Sequence, residues 1–305
     1  MRYIKVIFAF CLLVVTLNIC QSRQIQAPDS SSRVLNGTLL TPHEIPWLTP
    51  MGTNSDKKHS GCTGAIIGRL HVLTAAHCQL SDWVGIGAHK VSEVGESDMR
   101  KGYRNYIKRF EYLKNGKIYD IKSAPDRKEE EERWEICLFG IGPCPSDVDI
   151  AVITLKDKIS FISKYIEKAK LASPCEVCCN RCTEKCNMDF VAAGWGRDPA
   201  DPRPNGQDAP KKATMVCDKN KLSDDVNYFR AIAKLDPNNK DVCGGDSGGP
   251  LMNGNIIYGT VVDGGPCHRE PVSLHGRSGR YANVRAKNIQ KFIGSVVPDL
   301  EISHI

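Results

Sequence analysis

Cys243-Gly244-Gly245-Asp246-Ser247-Gly248-Gly249-Pro250 decides how the rest of this chain is read. A serine set among glycines has room around its hydroxyl, but that hydroxyl is a weak nucleophile at neutral pH. It becomes effective when an imidazole takes its proton and a carboxylate fixes the imidazole's tautomer. Two stretches upstream supply those groups. His77 stands in Leu73-Thr74-Ala75-Ala76-His77-Cys78, and Asp149 in Asp147-Val148-Asp149-Ile150-Ala151-Val152-Ile153. Taken singly, each has a plainer explanation: a partly buried histidine after a strand, a turn acid before an apolar run, a flexible glycine loop.

The 305 residues are 41% hydrophobic and 25% charged, with 26 Gly and 17 Pro. That is an ordinary globular balance, which excludes collagen, coiled coil and wholesale disorder. Length alone suggests two folding units or one large barrel-type domain. A net charge of +6 is small for this length, and no basic block alternates with stacking aromatics, so nucleic acid is not an expected partner. Fourteen cysteines argue for an oxidising compartment or for metal sites. The N-terminus decides between them. Arg2 and Lys5 precede ten apolar residues, Val6 to Val15, with small residues following at Cys20 and Ser22. This reads as a secretory signal over residues 1–22. Ten apolar residues are half of the ~20 that span a bilayer, so no membrane anchor is expected. Cleavage after Ser22 discards Cys11 and Cys20 and leaves an even number of cysteines in a secreted, extracellular chain.

Together, in the order His77, Asp149, Ser247, the three stretches resemble the trypsin/chymotrypsin family of serine proteases, over about Val34 to Val297. The resemblance implies that these residues form the catalytic triad and that the amides of Gly245 and Ser247 bind the oxyanion. Glycines make that possible, since both amides must face the same point in a tight turn. It implies disulfides Cys62–Cys78 and Cys243–Cys267. It places Asp241 at the base of the primary specificity pocket, with Gly264 and Gly279 leaving the pocket open, so that Arg or Lys precedes the cleaved bond. It implies a zymogen with an activation segment over 23–33, cut after Arg33, whose new Val34 amine pairs with Asp246. The protease domain is then 34–305: a first barrel to about 173, a connector over about 174–189, and a second barrel with a C-terminal helix over about 190–305. Expected partners are a protein or peptide substrate, protease inhibitors and an activating protease. No cofactor or metal is expected, and Ala88 stands where calcium-binding members carry Glu.

The chain also departs from the family. Val262 and Asp263 stand where Ser and Trp are usual on the strand lining the cleft. Phe190 and Asn253 replace both ends of one common bridge. Cys137, Cys144, Cys175, Cys178, Cys179, Cys182, Cys186 and Cys217 remain, and eight cysteines allow 105 pairings. Five of them crowd into Cys175 to Cys186, a spacing open to zinc as well as to disulfides, with export favouring disulfides. Two inserts precede Asp149: the basic, aromatic Gly102 to Tyr112, and the charge run Lys128 to Arg133. The first reading of such a run is a solvated face, the second a loop flanking the cleft. Asn36-Gly37-Thr38 is an N-glycosylation sequon.

Short β-rich runs at Ala65–Ile67, Ile150–Leu155, Phe190–Ala193 and Ile256–Val262 alternate with Gly/Pro/Asn turns, while Val284, Ile289, Phe292, Ile293 and Val296 suggest one apolar helix face. The expected fold is all-β, two antiparallel β-barrels with the site between them and a C-terminal helix. Two other function classes stay open beside the endopeptidase: a non-catalytic homologue that binds partners through its surface, and a disulfide-rich inhibitor.

Overall fold

The computed structural model describes residues 37–55, 61–95, 101–138, 142–174, 188–197, 208–218, 225–234, 242–264 and 278–303. After β1 (Thr38–Leu39), a first sheet is built from β2 (Leu48–Gly52), β3 (Cys62–Ile66), β4 (His71–Thr74), β5 (Trp83–Ile86), β6 (Tyr103–Lys114), β7 (Lys117–Asp120) and β8 (Ala151–Leu155). Its neighbour order is β5-β2-β3-β4-β8-β6, and β6 pairs back onto β5, closing six antiparallel strands into a barrel. β7 is attached to β6 outside the closure. The turn between them is Asn115-Gly116, with φ of 53° and 70°, the dipeptide that best accepts two positive φ values in a tight hairpin. Asp147 fixes this turn, its two carboxylate oxygens accepting the N–H groups of Asn115 and Gly116 at 2.8 and 2.7 Å.

The second sheet comprises β9 (Lys170–Ala172), β10 (Phe190–Gly194), β11 (Lys211–Cys217), β12 (Tyr228–Ala233), β13 (Pro250–Asn253), β14 (Ile256–Asp263), β15 (Gly279–Asn283) and β16 (Ile302–Ser303). The order β13-β10-β11-β12-β15-β14 closes through β13–β14 into another six-stranded antiparallel barrel. Closure leaves neither barrel with the unpaired strand edges of an open sheet. The two-barrel, all-β expectation is met. The first strand among the described residues, β1, joins the second barrel by pairing with β11, while β9 and β16 add to it in parallel.

One apolar cluster runs from the first barrel through Trp195, Met252 and Ile257 to the C-terminal helix. Trp47 Nε1 reaches Met252 Sδ at 3.3 Å within it. The barrels therefore share packing where they meet. That helix, α2 (Lys287–Val296), buries Ile289, Phe292 and Ile293 as their spacing predicts, and Val284 lies just ahead of it.

The two inserts differ from expectation. Gly102 to Tyr112 is mostly barrel strand β6, and the charge run lies in a helix, α1 (Arg127–Leu138). Glu130 within it is fully buried, accepting hydrogen bonds from Tyr112 Oη, Lys114 Nζ and Arg133 Nη1 at 3.3, 2.6 and 3.2 Å. Trp134 is buried edge-on against Tyr112, at 5.9 Å between ring centroids. Cys137 pairs with Cys144, tethering the helix end. Among the described residues no helix is long and apolar enough to cross a membrane.

Candidate active site

His77 and Asp149 meet because their strands are neighbours. β4 and β8 pair antiparallel with Thr74 opposite Ala151, so residues leaving β4 stand beside residues entering β8. After β4 the chain makes one 3₁₀ turn, Ala76–Cys78, and the expected Cys62–Cys78 disulfide ties that turn to β3. His77 then engages Asp149 twice: its main-chain N–H donates to Oδ1 at 3.0 Å, and its Nδ1 lies 2.7 Å from Oδ2. With Nδ1 as the donor, Nε2 of the neutral ring is left as a proton acceptor.

Both side chains are nearly buried, at 10% and 13% exposure. Burial pushes the His77 imidazole down, but the Asp149 carboxylate, its hydrogen bond and the more distant Asp263 outweigh it, so His77 titrates above the ordinary histidine value. Burial pushes Asp149 up, and His77 and Arg280 more than reverse this, holding it below the usual carboxylate range.

Ser247 comes from the other barrel, just ahead of β13. Gly248 has φ of 77°, and a Cβ on it would stand 2.0 Å from Thr74 Oγ1. Only glycine lets this turn approach the histidine strand so closely. The N–H of Thr63 donates to the Ser247 carbonyl at 2.8 Å, and the Cys78 sulfur lies 3.6 Å from the same oxygen. The serine turn thus packs beside the turn that carries His77. Among the described residues the hydrogen bonds of the His77 ring go to Asp149 alone. A serine–histidine contact is often long before substrate binds.

Thr63 is a site residue that the sequence did not single out. It is fully buried, and its hydroxyl donates to the Gly245 carbonyl at 2.8 Å while accepting the Trp195 N–H at 3.3 Å. One side chain of the first barrel therefore orients the peptide that follows Gly245, whose own φ is 100°. Asp246, also fully buried, accepts the N–H groups of Gly196 and Cys243 at 2.8 and 2.9 Å. No sequence signal marks Thr63, because its role depends on which strand end lies under the serine turn.

Gly264 and Gly279 both face Val242, the neighbour of Asp241. A Cβ on Gly264 would stand 1.7 Å from the Val242 carbonyl oxygen, and one on Gly279 would stand 3.1 Å from Val242 Cγ2. Glycine at 264 thus permits a close main-chain approach to Val242. Asp241, Arg33, Val34, Cys267, Asn36 and the cluster Cys175 to Cys186 lie outside the described residues. Cys243 and Cys217 are each disulfide-bonded. Cys62 and Cys78 stand near His77, but their sulfurs are joined to each other and offer no thiolate to a metal.

Val262 is buried and carries no polar group, while Asp263 is exposed at the end of β14 and pairs with Arg280, Oδ2 to Nε at 2.8 Å.

The trypsin family profile matches residues 34–284. Chymotrypsin of Phaedon cochleariae is 25% identical over 263 residues, covering 84% of this chain and 82% of that protein. Kallikrein-8 of Rattus norvegicus is 25% identical over 276 residues, covering 85% and 88%. Kallikrein-4 of Homo sapiens is 27% identical over 262 residues, covering 84% of each. Among solved structures, neuropsin, a serine protease expressed in the limbic system of mouse brain, superposes with a TM-score of 0.58 at 20% identity, covering 85% of this chain and 98% of that one. A mutant of human heparin binding protein gives 0.60 at 17% identity, covering 85% and 95%.

Proposed function

The chain belongs to the trypsin family, and from that membership we propose that it is a secreted trypsin-like serine endopeptidase, made as a zymogen, that hydrolyses peptide bonds after Arg or Lys. The observation that carries this reading is the 2.7 Å contact between His77 Nδ1 and Asp149 Oδ2, on a turn packed against the Ser247 loop. Ser247 Oγ attacks the scissile carbonyl as its proton passes to His77 Nε2, and the N–H groups of Gly245 and Ser247 hold the oxyanion. The imidazolium then protonates the leaving amine, which departs and leaves an acyl group on Ser247. Water, losing a proton to His77, releases the acid and restores the serine. Asp149 stays ionised throughout and stabilises the imidazolium.

Asp241 at the pocket base selects a cationic side chain, since an acid in a narrow pocket is costly without a partner. Residues 1–22 are the leader and 23–33 the activation segment. Cleavage after Arg33 frees the Val34 amine for the buried Asp246. No cofactor enters this chemistry.

Protein cut after Arg33 is expected to hydrolyse Arg and Lys peptides and to be labelled at Ser247 by an organophosphate probe. Ser247→Ala should stay folded and lose roughly 10⁶-fold in turnover. Equal hydrolysis of Leu and Arg peptides would remove the Asp241 pocket from the proposal. A second reading, a non-catalytic family member that binds partners, is favoured by the buried apolar Val262 and the exposed Asp263 at the end of β14, where the family usually has Ser and Trp. Absence of labelling would select it.

A further inference from the structure

Behind the His77–Asp149 pair, three residues of the second barrel form a continuous polar chain that the reaction above does not use. The Asp149 N–H donates to Tyr228 Oη at 2.9 Å. The Arg280 guanidinium lies over the Tyr228 ring, 5.0 Å from its centroid. Asp263, opposite Arg280 in the β14–β15 ladder, pairs with it at 2.8 Å. These residues sit on β12, β15 and β14, whereas His77 and Asp149 belong to the first barrel. The line Asp263, Arg280, Tyr228, Asp149, His77 therefore runs from an exposed acid to the buried pair and crosses the junction that also carries the Ser247 turn.

We propose that Tyr228 and Arg280 are positioning residues for the His77–Asp149 pair. The Tyr228 hydroxyl fixes the Asp149 main chain from the second barrel, and Arg280, anchored by Asp263, holds the Tyr228 ring in place. The arrangement follows from charge and geometry. A guanidinium stacked on an aromatic face and bonded to a carboxylate on the next strand has little freedom to swing away. Its planar fork is also something lysine does not reproduce. The line is electrically coupled to the pair as well. The charged groups that act on His77 are Asp149, Asp263 and Arg280. Beyond burial and Asp149, Asp263 raises the imidazole's pKa and Arg280 lowers it. Arg280 also helps to keep Asp149 ionised. On Tyr228 the charged neighbours are Asp149, Arg280 and Asp225.

The kinetic part of the inference rests on the endopeptidase reading, and its structural part does not. The test uses protein cut after Arg33, as wild type and as Tyr228→Phe, Arg280→Met, Arg280→Lys and Asp263→Asn. The His77 titration is followed by proton NMR of its imidazole hydrogens, and kcat and KM are measured on an Arg peptide. Tyr228→Phe is expected to lower kcat about tenfold with KM unchanged, the effect of one lost hydrogen bond. Arg280→Met should move the His77 midpoint up and Asp263→Asn should move it down. Arg280→Lys should keep the wild-type midpoint while losing part of kcat, which a merely structural role would not separate. If the two midpoints stay at the wild-type value and Tyr228→Phe retains full turnover, the inference is overturned. If wild-type protein hydrolyses nothing, the endopeptidase reading fails, and the NMR titrations still decide between a coupled and an uncoupled line. Arg280→Lys and Asp263→Asn change partly exposed side chains, so the test survives an Arg280→Met protein that does not fold.

Discussion

His77 carries opposite consequences for activity and for stability over the same range of pH. Its pKa is raised above the ordinary value by Asp149, and it must be neutral to accept the Ser247 proton. The acid limb of kcat/KM should therefore lie above ~6.5, the unperturbed histidine value. Stability runs the other way. A raised imidazole stabilises the fold fully below its unfolded pKa and loses that contribution as pH rises through the folded one. Asp149, held low, contributes above its unfolded value of ~3.9 and loses its share as pH falls through its folded pKa. Rising pH should thus increase turnover while removing the share of stability that His77 contributes, against the opposite change from His43, His71 and His89, whose imidazoles burial pushes down. That share is read from the pH dependence of the difference in thermal midpoint between wild type and His77→Ala. An acid limb at or below pH ~6.5 would mean that this pair is not the operating base. Thr63 gives a second test at this scale. Thr63→Val keeps the shape but strands the Gly245 carbonyl and the Trp195 N–H, so kcat should drop about tenfold with little change in KM. Thr63→Ser should keep wild-type turnover, and a fully active valine variant would show that the hydroxyl does not hold the oxyanion turn. His77 and Asp149, which meet at 2.7 Å, could be picked out in the sequence because the chemistry proposed for them restricts residue types. Thr63, Tyr228 and Arg280 could not, because ordinary residues acquire those roles only when particular strands become neighbours.

Helix α1 shows where a sequence pattern misleads at the scale of elements. Lys128 to Arg133 is dense with charge and reads as a solvated face, yet Glu130 is buried among Tyr112, Lys114 and Arg133. A buried carboxylate of this kind is tolerable only with partners, and the partners come from β6, not from the helix alone. Trp134 supplies the apolar part of the contact at 1% exposure. Trp134→Ala should then destabilise the protein by about 3–5 kcal/mol, measured by denaturant unfolding. A cost below about 1 kcal/mol would place α1 among peripheral decorations. The C-terminal helix was legible by contrast, since Ile289, Phe292 and Ile293 repeat at helical spacing and all bury. Strand runs were legible as short β-rich stretches between turn residues, and their barrel closure came only with the ladders β5–β6 and β13–β14.

At the scale of the whole molecule, the shared core and the Cys62–Cys78 tie hold the His77 turn, so the activation proposed above would act on the Ser247 loop. β1 bears directly on that step. Leu39 pairs with Lys211, and Lys211 pairs in turn with Gly194, so the start of the domain is strapped to the strand end leading to Gly196, whose N–H holds Asp246. Val34 precedes Thr38 by four residues, a reach of at most about 14 Å. On the proposed activation, a terminus freed after Arg33 would need only this short reach from β1, and closing so short a segment onto the buried Asp246 would cost little chain entropy. Uncut protein should have turnover on the order of 10² below the cut form, the scale of one missing oxyanion donor. Asp246→Asn should erase the gain from cutting, and Arg33→Gln should block cutting by the active enzyme. A run of four extra glycines placed after Gly37 should weaken activation while leaving cleavage intact, because it loosens the strap without touching the charge pair. Turnover of uncut protein equal to that of cut protein would sink the whole scheme. Equal activation with the added glycines would sink only the role of β1.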